Sequence, residues 1–328
     1  MANTTSVQWV PDLEPVALVV NVTQGFVMAV MNAAIVAVIL FQGMLRQQKE
    51  YIIMGGLAFT EVMVGLGLFV SGIMRSILLY NGTAFVLITK WQCFWAPWNI
   101  IFNWATPFAS YMLLLVSIDR LYAVYSPLSY FMRTASYGWK MFSVLTVFIA
   151  AHMLLAGTIT YFSQRVPVSP SYCFTAHGVD ANWYNDYIQI IRLVAPLLSV
   201  VLYFFIARRI RQHITGVRGV TEANTAKKML NLRQFTVTLG ISSIFTAVVH
   251  VLPLTYTTFL VPVFGAPTFT TLSHIVKTST NMNPVFNIIV LIVRQRELRS
   301  GFRLMWKGKQ MQPTVWTRSA TVPTTAKH

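Results

Sequence analysis

Ten polar or ionisable side chains fall within otherwise apolar stretches of this chain: Asn32, Glu61, Asp119, Arg120, Arg192, His250, Lys277, Asn281, Asn283 and Asn287. A charge in hydrocarbon is costly, so such groups are rare there and mark sites of binding or switching. Asp119 and Arg120 are adjacent and opposite in charge, a pair that can hold itself closed or exchange partners. Lys277 ends a long uncharged run that begins after Arg233. An amine desolvated there loses its proton more readily and becomes a nucleophile toward a carbonyl; the alternative is pairing with an acid or an anionic ligand. Pro284, between Asn283 and Asn287, frees a backbone carbonyl and lets its helix bend, which makes a switch element. The stretch from Trp95 to Pro107 is aromatic and amide-rich, with Trp95, Trp98, Asn99, Phe102, Asn103 and Trp104. It suits a largely apolar ligand held by a few fixed hydrogen bonds, the competing reading being helix packing and an interfacial aromatic belt. The expected ligand-binding residues are Trp98, Phe102, Asn103, Thr106, Arg192 and Lys277. Enzymatic chemistry has no support, because His152, His177, His250 and His274 lack metal-ligand spacing and no nucleophilic triad is visible.

The elements that position these residues follow from composition. The 328 residues are 55% hydrophobic and only 10% charged, with a mean hydropathy of +0.58. That is membrane composition, since a soluble domain carries about 25% charged residues. A bilayer core about 30 Å thick needs roughly 20 apolar residues per helix. The charge-free gaps from Glu14 to Arg46, Lys140 to Arg165 and Arg233 to Lys277 each hold at least one such run. The spans are expected at 16–42, 51–79, 95–122, 140–162, 186–208, 233–260 and 268–293. This is an all-α membrane protein, a bundle of seven transmembrane helices. The net charge of +16 is a topology signal and not a nucleic-acid footprint, which would need a basic face on a soluble fold. With the N-terminus outside, only Lys90 and Arg165 lie in the outer loops, so the positive-inside rule places the tail in the cytosol.

Residues 1–15 are expected to form a short extracellular segment, and because it has no basic residue the first span is expected to serve as insertion signal in place of a cleaved peptide. Asn3 and Asn81 head glycosylation sequons that fall outside; Asn21 heads a third, too close to the membrane for use. Cys93 and Cys173, the two cysteines, are both extracellular, where a disulfide persists, with two free thiols as the alternative. After the seven-span core of 16–293, residues 294–306 mix Arg294, Arg296, Arg299 and Arg303 with Leu298, Phe302 and Trp306. This reads as a short amphipathic helix on the inner membrane surface. Residues 307–328 are expected to form a disordered cytoplasmic tail.

The order of motifs resembles the rhodopsin-like G-protein-coupled receptors, over about residues 16–306. Ser117-Ile118-Asp119-Arg120-Leu121-Tyr122 with Pro127 is similar to that family's Asp-Arg-Tyr motif and the proline of its second inner loop. Asn283-Pro284-Val285-Phe286-Asn287 is similar to its Asn-Pro-x-x-Tyr motif, with Asn287 in place of tyrosine. Asn32, Pro196 and Pro253 fall at further landmarks, and Glu61 stands where an aspartate is usual. The resemblance implies a plasma-membrane receptor coupled to a heterotrimeric G protein, with Asp119, Arg120, Asn283, Pro284 and Asn287 as its switch. It also implies an internal polar cluster of Asn32, Glu61 and Asn283. Departures are the missing tryptophans before Pro253 and in the fourth span, and Pro107 inside the third, where it would kink the helix. Within this family the run from Gly65 through Arg75, Trp91 and Cys93 to Trp98 is most similar to nematode serpentine chemoreceptors.

A small-molecule chemical stimulus is therefore the leading expectation. A cationic amine is disfavoured because the outer third span has no aspartate. Lys277 through Phe286 also resembles the opsin segment whose lysine carries retinal, which implies retinal at Lys277 as the alternative. That reading needs a counterion, for which Asp180 and Asp186 are the candidates. A secondary transporter would also place Glu61, Arg192 and Lys277 in the membrane, but the odd span number, the lack of inverted repeats and the Asp-Arg motif oppose it.

Overall fold

The computed structural model describes residues 13–163, 166–180, 182–216, 237, 240–241, 244–255 and 270–311; at 210–216 and 270–281 it describes the backbone alone. The helices run α1 (Pro15–Phe41), α2 (Gly43–Arg46), α3 (Lys49–Tyr80), α4 (Lys90–Phe94), α5 (Pro97–Tyr125), α6 (Pro127–Phe131), α7 (Ala135–Ser163) and α8 (Asn182–Gly216). A π-helical turn (Ala247–Val251) leads into α9 (Leu252–Thr255), followed by α10 (Thr270–Arg294) and α11 (Arg296–Trp306). Among the described residues, α1, α3, α5, α7 and Trp183–Arg209 of α8 are long and apolar enough to cross a membrane, and Met282–Arg294 is a shorter apolar helix. Much of the sixth expected span lies outside the described residues.

Local chemistry sets the helix ends. Pro15, Pro97 and Pro127 occupy first turns, where a missing N–H costs nothing. Thr89 caps α4 through a reciprocal box, its hydroxyl accepting from Gln92 N at 3.1 Å while Gln92 Oε1 accepts from Thr89 N at 3.0 Å. Two differences from the expected spans share one cause. The fourth helix begins at Ala135, not 140, and the fifth runs to Gly216, not 208. Absence of charge delimits the membrane, whereas helices continue into water on residues such as Arg208 and Arg209, which are good helix formers.

Pro107 sits inside α5 without ending it. A proline removes the bond to the carbonyl four residues earlier. That carbonyl belongs to Asn103, and it accepts the Tyr184 hydroxyl of α8 at 3.1 Å. The third helix thus gains a cross-link to the fifth where its own ladder is broken. Upstream of Pro253 the turn widens to π geometry, a feature often found at functional sites.

The spans pack as a bundle, α3 between α1 and α5, and α5 against α8. Approach between α1 and α3 is very close. A Cβ at Gly65 would lie 2.7 Å from Ala29 N and 2.9 Å from the Gly25 carbonyl, so only glycine fits. The main core, with Ile35, Val38, Met54, Phe108, Met112, Ile206 and Ile288, fills one end of the bundle. Outward apolar side chains such as Val144, 68% exposed, and Phe204, 67% exposed, are covered only if lipid surrounds the helices.

Not all of the chain is helical. Strands β1 (Leu87–Thr89) and β2 (Pro167–Pro170) pair antiparallel, with Ile88 opposite Ser169 and a register shift at Thr89. The sequence expectation of an all-α chain missed this two-stranded sheet because each strand has only a few residues and the pair is far apart in sequence. At the other end, α11 lays Leu298 and Gly301 on α1, with Val38 and Leu45 beneath Gly301, and leaves Arg296, Arg299 and Arg303 exposed. Residues 307–311, expected to begin a disordered tail, instead dock on the end of α1. Gln42 Nε2 donates to the carbonyls of Gly301 (3.2 Å) and Lys309 (3.1 Å), and its Oε1 accepts from Met311 N at 2.7 Å. A fully buried glutamine must satisfy its amide, and this segment supplies the partners. Residues 312–328 lie outside the described residues.

Candidate functional site

A cavity of about 460 Å³ opens between α3, α5, α8, the π-turn and α10. That is within the range of roughly 300–1,000 Å³ in which proteins hold small molecules. Its walls are apolar where Val64, Leu68, Phe102 and Ile188 face it, and polar groups converge from several helices. Phe174, Thr175 and Arg75 border one end of it, beside the disulfide corner. Asn283, Pro284 and Asn287 of α10 border it as well.

Of the expected ligand residues, Phe102, Thr106 and Arg192 line this cavity. Trp98 and Asn103 do not. Trp98 is buried, its indole N–H donating to the Cys173 carbonyl at 3.0 Å, and Asn103 is fully buried away from the cavity. Trp98 and Phe102, four residues apart, share a helix stripe, but Trp98 lies one turn nearer the disulfide loop, which covers it, and Asn103 falls on a different face, about 100° round from Phe102. The side chain of Lys277 lies outside the described residues.

Sequence reasoning missed Asn185 and Gln189, which line the cavity above Arg192 on α8. The three stand at i, i+4 and i+7, one stripe of a helix, and that spacing in an apolar run is the signal that would have found them. It also missed a role for Arg75, which is 6% exposed near the end of α3. Arg75 Nε donates to the Tyr172 carbonyl and Nη2 to the Cys173 carbonyl, both at 2.9 Å, and the guanidinium lies 4.4 Å from the Phe174 ring centre. It fastens the loop after α7 over the cavity.

Cys93 and Cys173 form a disulfide, with Cα atoms 5.7 Å apart. Around it, Asn99 Nδ2 donates to the Cys93 carbonyl at 2.8 Å. In the same loop Lys90 pairs with Asp180, and its hydrogen bond holds the Asp180 carboxyl below the usual carboxylate range. Burial, with Arg75 nearby, holds His177 below its ordinary pKa. Asp180 is thus engaged, and neither it nor Asp186 borders the cavity; the acid that does is Glu61. Asn81 is exposed where α3 ends, and Asn3 lies outside the described residues.

The expected polar cluster is only partly assembled. Glu61 and Asn283 face the same cavity, but Asn32 turns its Nδ2 back to the Met28 carbonyl at 2.9 Å. A short amide inside a helix satisfies itself locally when the i−4 carbonyl is within reach. Asn287 Nδ2 donates to Thr246 Oγ1 at 3.3 Å, tying α10 to the start of the π-turn that carries His250. His250 itself borders the cavity, a place its lone position in the sequence did not indicate.

At the other end of the bundle Asp119 and Arg120 form a buried ion pair, each about 1% exposed. Tyr130 of α6 closes it. Arg120 Nη2 donates to the Tyr130 hydroxyl at 2.8 Å, and that hydroxyl donates to Asp119 Oδ2 at 3.1 Å. Burial pushes the Tyr130 hydroxyl well above the usual tyrosine range, so it remains a donor. Lys49 Nζ stacks 4.1 Å from the Tyr130 ring centre and donates to the Arg133 carbonyl at 3.1 Å, fixing α6 against α3. Among the described residues no group of three His, Cys, Asp or Glu side chains has the arrangement of a metal site.

No curated protein matches the chain. The family model for the serpentine-type 7TM GPCR chemoreceptor Srsx matches residues 26–306, from within α1 to the end of α11, and the chain belongs to that family.

Proposed function

We propose that this chain is a chemosensory receptor of seven membrane-spanning helices that binds a small molecule in its central cavity and transmits that event to a heterotrimeric G protein. The carrying observation is that a single cavity touches both the loop latched by Arg75 and the α10 segment of Asn283, Pro284 and Asn287. A ligand there contacts groups on five elements at once and can bias their relative positions only through differential contacts. The buried Asp119–Arg120 pair under Tyr130 is the complementary resting lock. The excess of basic residues in one set of loops supports a plasma-membrane orientation with the N-terminus outside. Leu298, Phe302 and the outward arginines of α11 suit a helix lying on the inner membrane surface.

The light-sensing alternative would attach retinal at Lys277. Of its two expected counterions, Asp180 is taken by Lys90 and Asp186 does not border the cavity, and the family match is to chemoreceptors, so chemical sensing is the better reading.

The test is nucleotide exchange by a panel of G proteins with the purified chain in lipid nanodiscs. The parent is expected to catalyse exchange by at least one of them, and Arg120→Ala to abolish it at equal surface expression. Exchange retained by Arg120→Ala would refute the assigned role, and absence of exchange across all G-protein classes would refute the receptor reading.

A further inference from the structure

The charged groups around the cavity differ in how they are engaged. Arg75 spends its guanidinium on two loop carbonyls and a phenyl ring. Arg192 has no hydrogen bond or ion pair among the described residues, and neither has Glu61, although both face the same cavity. Arg192 stands ten residues into α8 from its start at Asn182, about 15 Å along the axis at 1.5 Å per residue. It is partly exposed and lines the cavity. A guanidinium offers five N–H donors in a planar fork that matches the two oxygens of a carboxylate. Left unpaired in a low-dielectric bundle such a charge is costly, and an anion entering the cavity relieves that cost.

The rest of the wall tells the same story about the ligand's body. Gln189 and Asn185 continue the polar stripe along α8, supplying further amide donors. Across from them, Phe102, Leu68 and Val64 offer an apolar surface. Among the described residues the other ionisable groups lining it are His250 on the π-turn and Glu61 on α3, and Arg192 and Glu61 stand on different helices.

We propose that the cavity's ligand is a small organic carboxylate with an apolar body, its carboxylate held by the Arg192 guanidinium. This rests on the receptor reading above and narrows its ligand class. A phosphate dianion fits less well, because it would bring two negative charges to the Arg192 guanidinium in a cavity that Glu61 also lines.

The experiment uses the full chain in nanodiscs and reads the thermal midpoint against probe concentration. The probes are straight-chain carboxylates from butanoate to decanoate and arylacetates, each beside its primary amide and its amine. A molecule that binds only the folded state raises the midpoint by mass action. At least one acid is expected to do so while its amide and amine do not. Arg192→Gln is expected to weaken that acid by about 30-fold or more, as when one partner of a buried charge pair is lost. Arg192→Lys keeps the charge without the fork, and is expected to bind more weakly while preserving the preference for acid over amide. If the Gln variant fails to fold, the Lys variant carries the test.

The proposal is overturned if no acid in the set shifts the midpoint, if amides or amines shift it equally, or if the Arg192 variants bind as the parent does. Loss confined to Lys277→Gln would likewise overturn the assignment to Arg192. Basal nucleotide exchange in the same nanodiscs separates the two levels. Neutral probes that bind while exchange persists remove the carboxylate and leave the receptor, whereas absent exchange removes the receptor reading itself.

Discussion

Replacing Tyr130 by Phe removes one hydroxyl and leaves the ring. The ring keeps its contact with Lys49 and its edge-on packing against Tyr122, 5.8 Å between centres. What goes is the single oxygen that both accepts from Arg120 and donates to Asp119. Tyr130 is fully buried, so water does not replace it at once. A hydrogen bond to a charged group contributes about 1.5–3 kcal/mol. The Asp119–Arg120 pair persists without it, so the lower value is the safer one. If the hydroxyl acts only in the closed state, the equilibrium shifts toward the open state by roughly tenfold at about 1.4 kcal/mol per decade. Ligand-free nucleotide exchange in nanodiscs should rise by about that factor for Tyr130→Phe. Tyr122→Phe is the control, since its hydroxyl meets the exposed Ser129 at 2.7 Å and the Arg133 side chain, neither of them a member of the Asp119–Arg120–Tyr130 triad, and should leave the rate unchanged. An unchanged or lower basal rate for Tyr130→Phe at equal protein amount would show that the hydroxyl does not hold the pair closed.

The disulfide closes a separation of 80 residues, which loop-closure entropy converts to about 4.5 kcal/mol, an upper value because membrane spans limit the unfolded chain. Cys93→Ser and Cys173→Ser should therefore lose surface protein and thermal stability equally, and a clear difference between them would argue against one shared bond. Asp180 has its carboxyl pKa lowered in the fold by Lys90, so its contribution is present above the ordinary value of 3.8 and is lost as pH falls through the lowered folded value. Its partly exposed position limits this to about 1 kcal/mol or less, so Asp180→Asn should melt slightly earlier than the parent at pH near 7, and a difference that grows in acid would contradict the sign. Purified protein incubated with retinal should show no visible absorption band, and a band abolished by Lys277→Ala would instead make this a pigment.

Much of this protein is legible in its composition and order of residues. Charge-free runs locate the helices, because hydrocarbon tolerates only apolar side chains and satisfied backbones, and the basic residues sort the loops into two sides. The Asp119–Arg120 pair, the Pro284 segment and the two cysteines are likewise visible, since adjacency and a count of two need no third dimension. The tertiary structure decided what each isolated group faces. Trp98 is covered by the Cys173 loop and Asn103 is buried away from the cavity while Phe102 and Thr106 of the same helix meet it, a matter of what packs against each turn that spacing leaves open. Asp180 went to Lys90, Asn32 to its own helix, and Tyr130 folded back ten residues to close on Arg120. Each of those choices depends on distances between segments remote in sequence or on a turn in the chain, and only packing sets them.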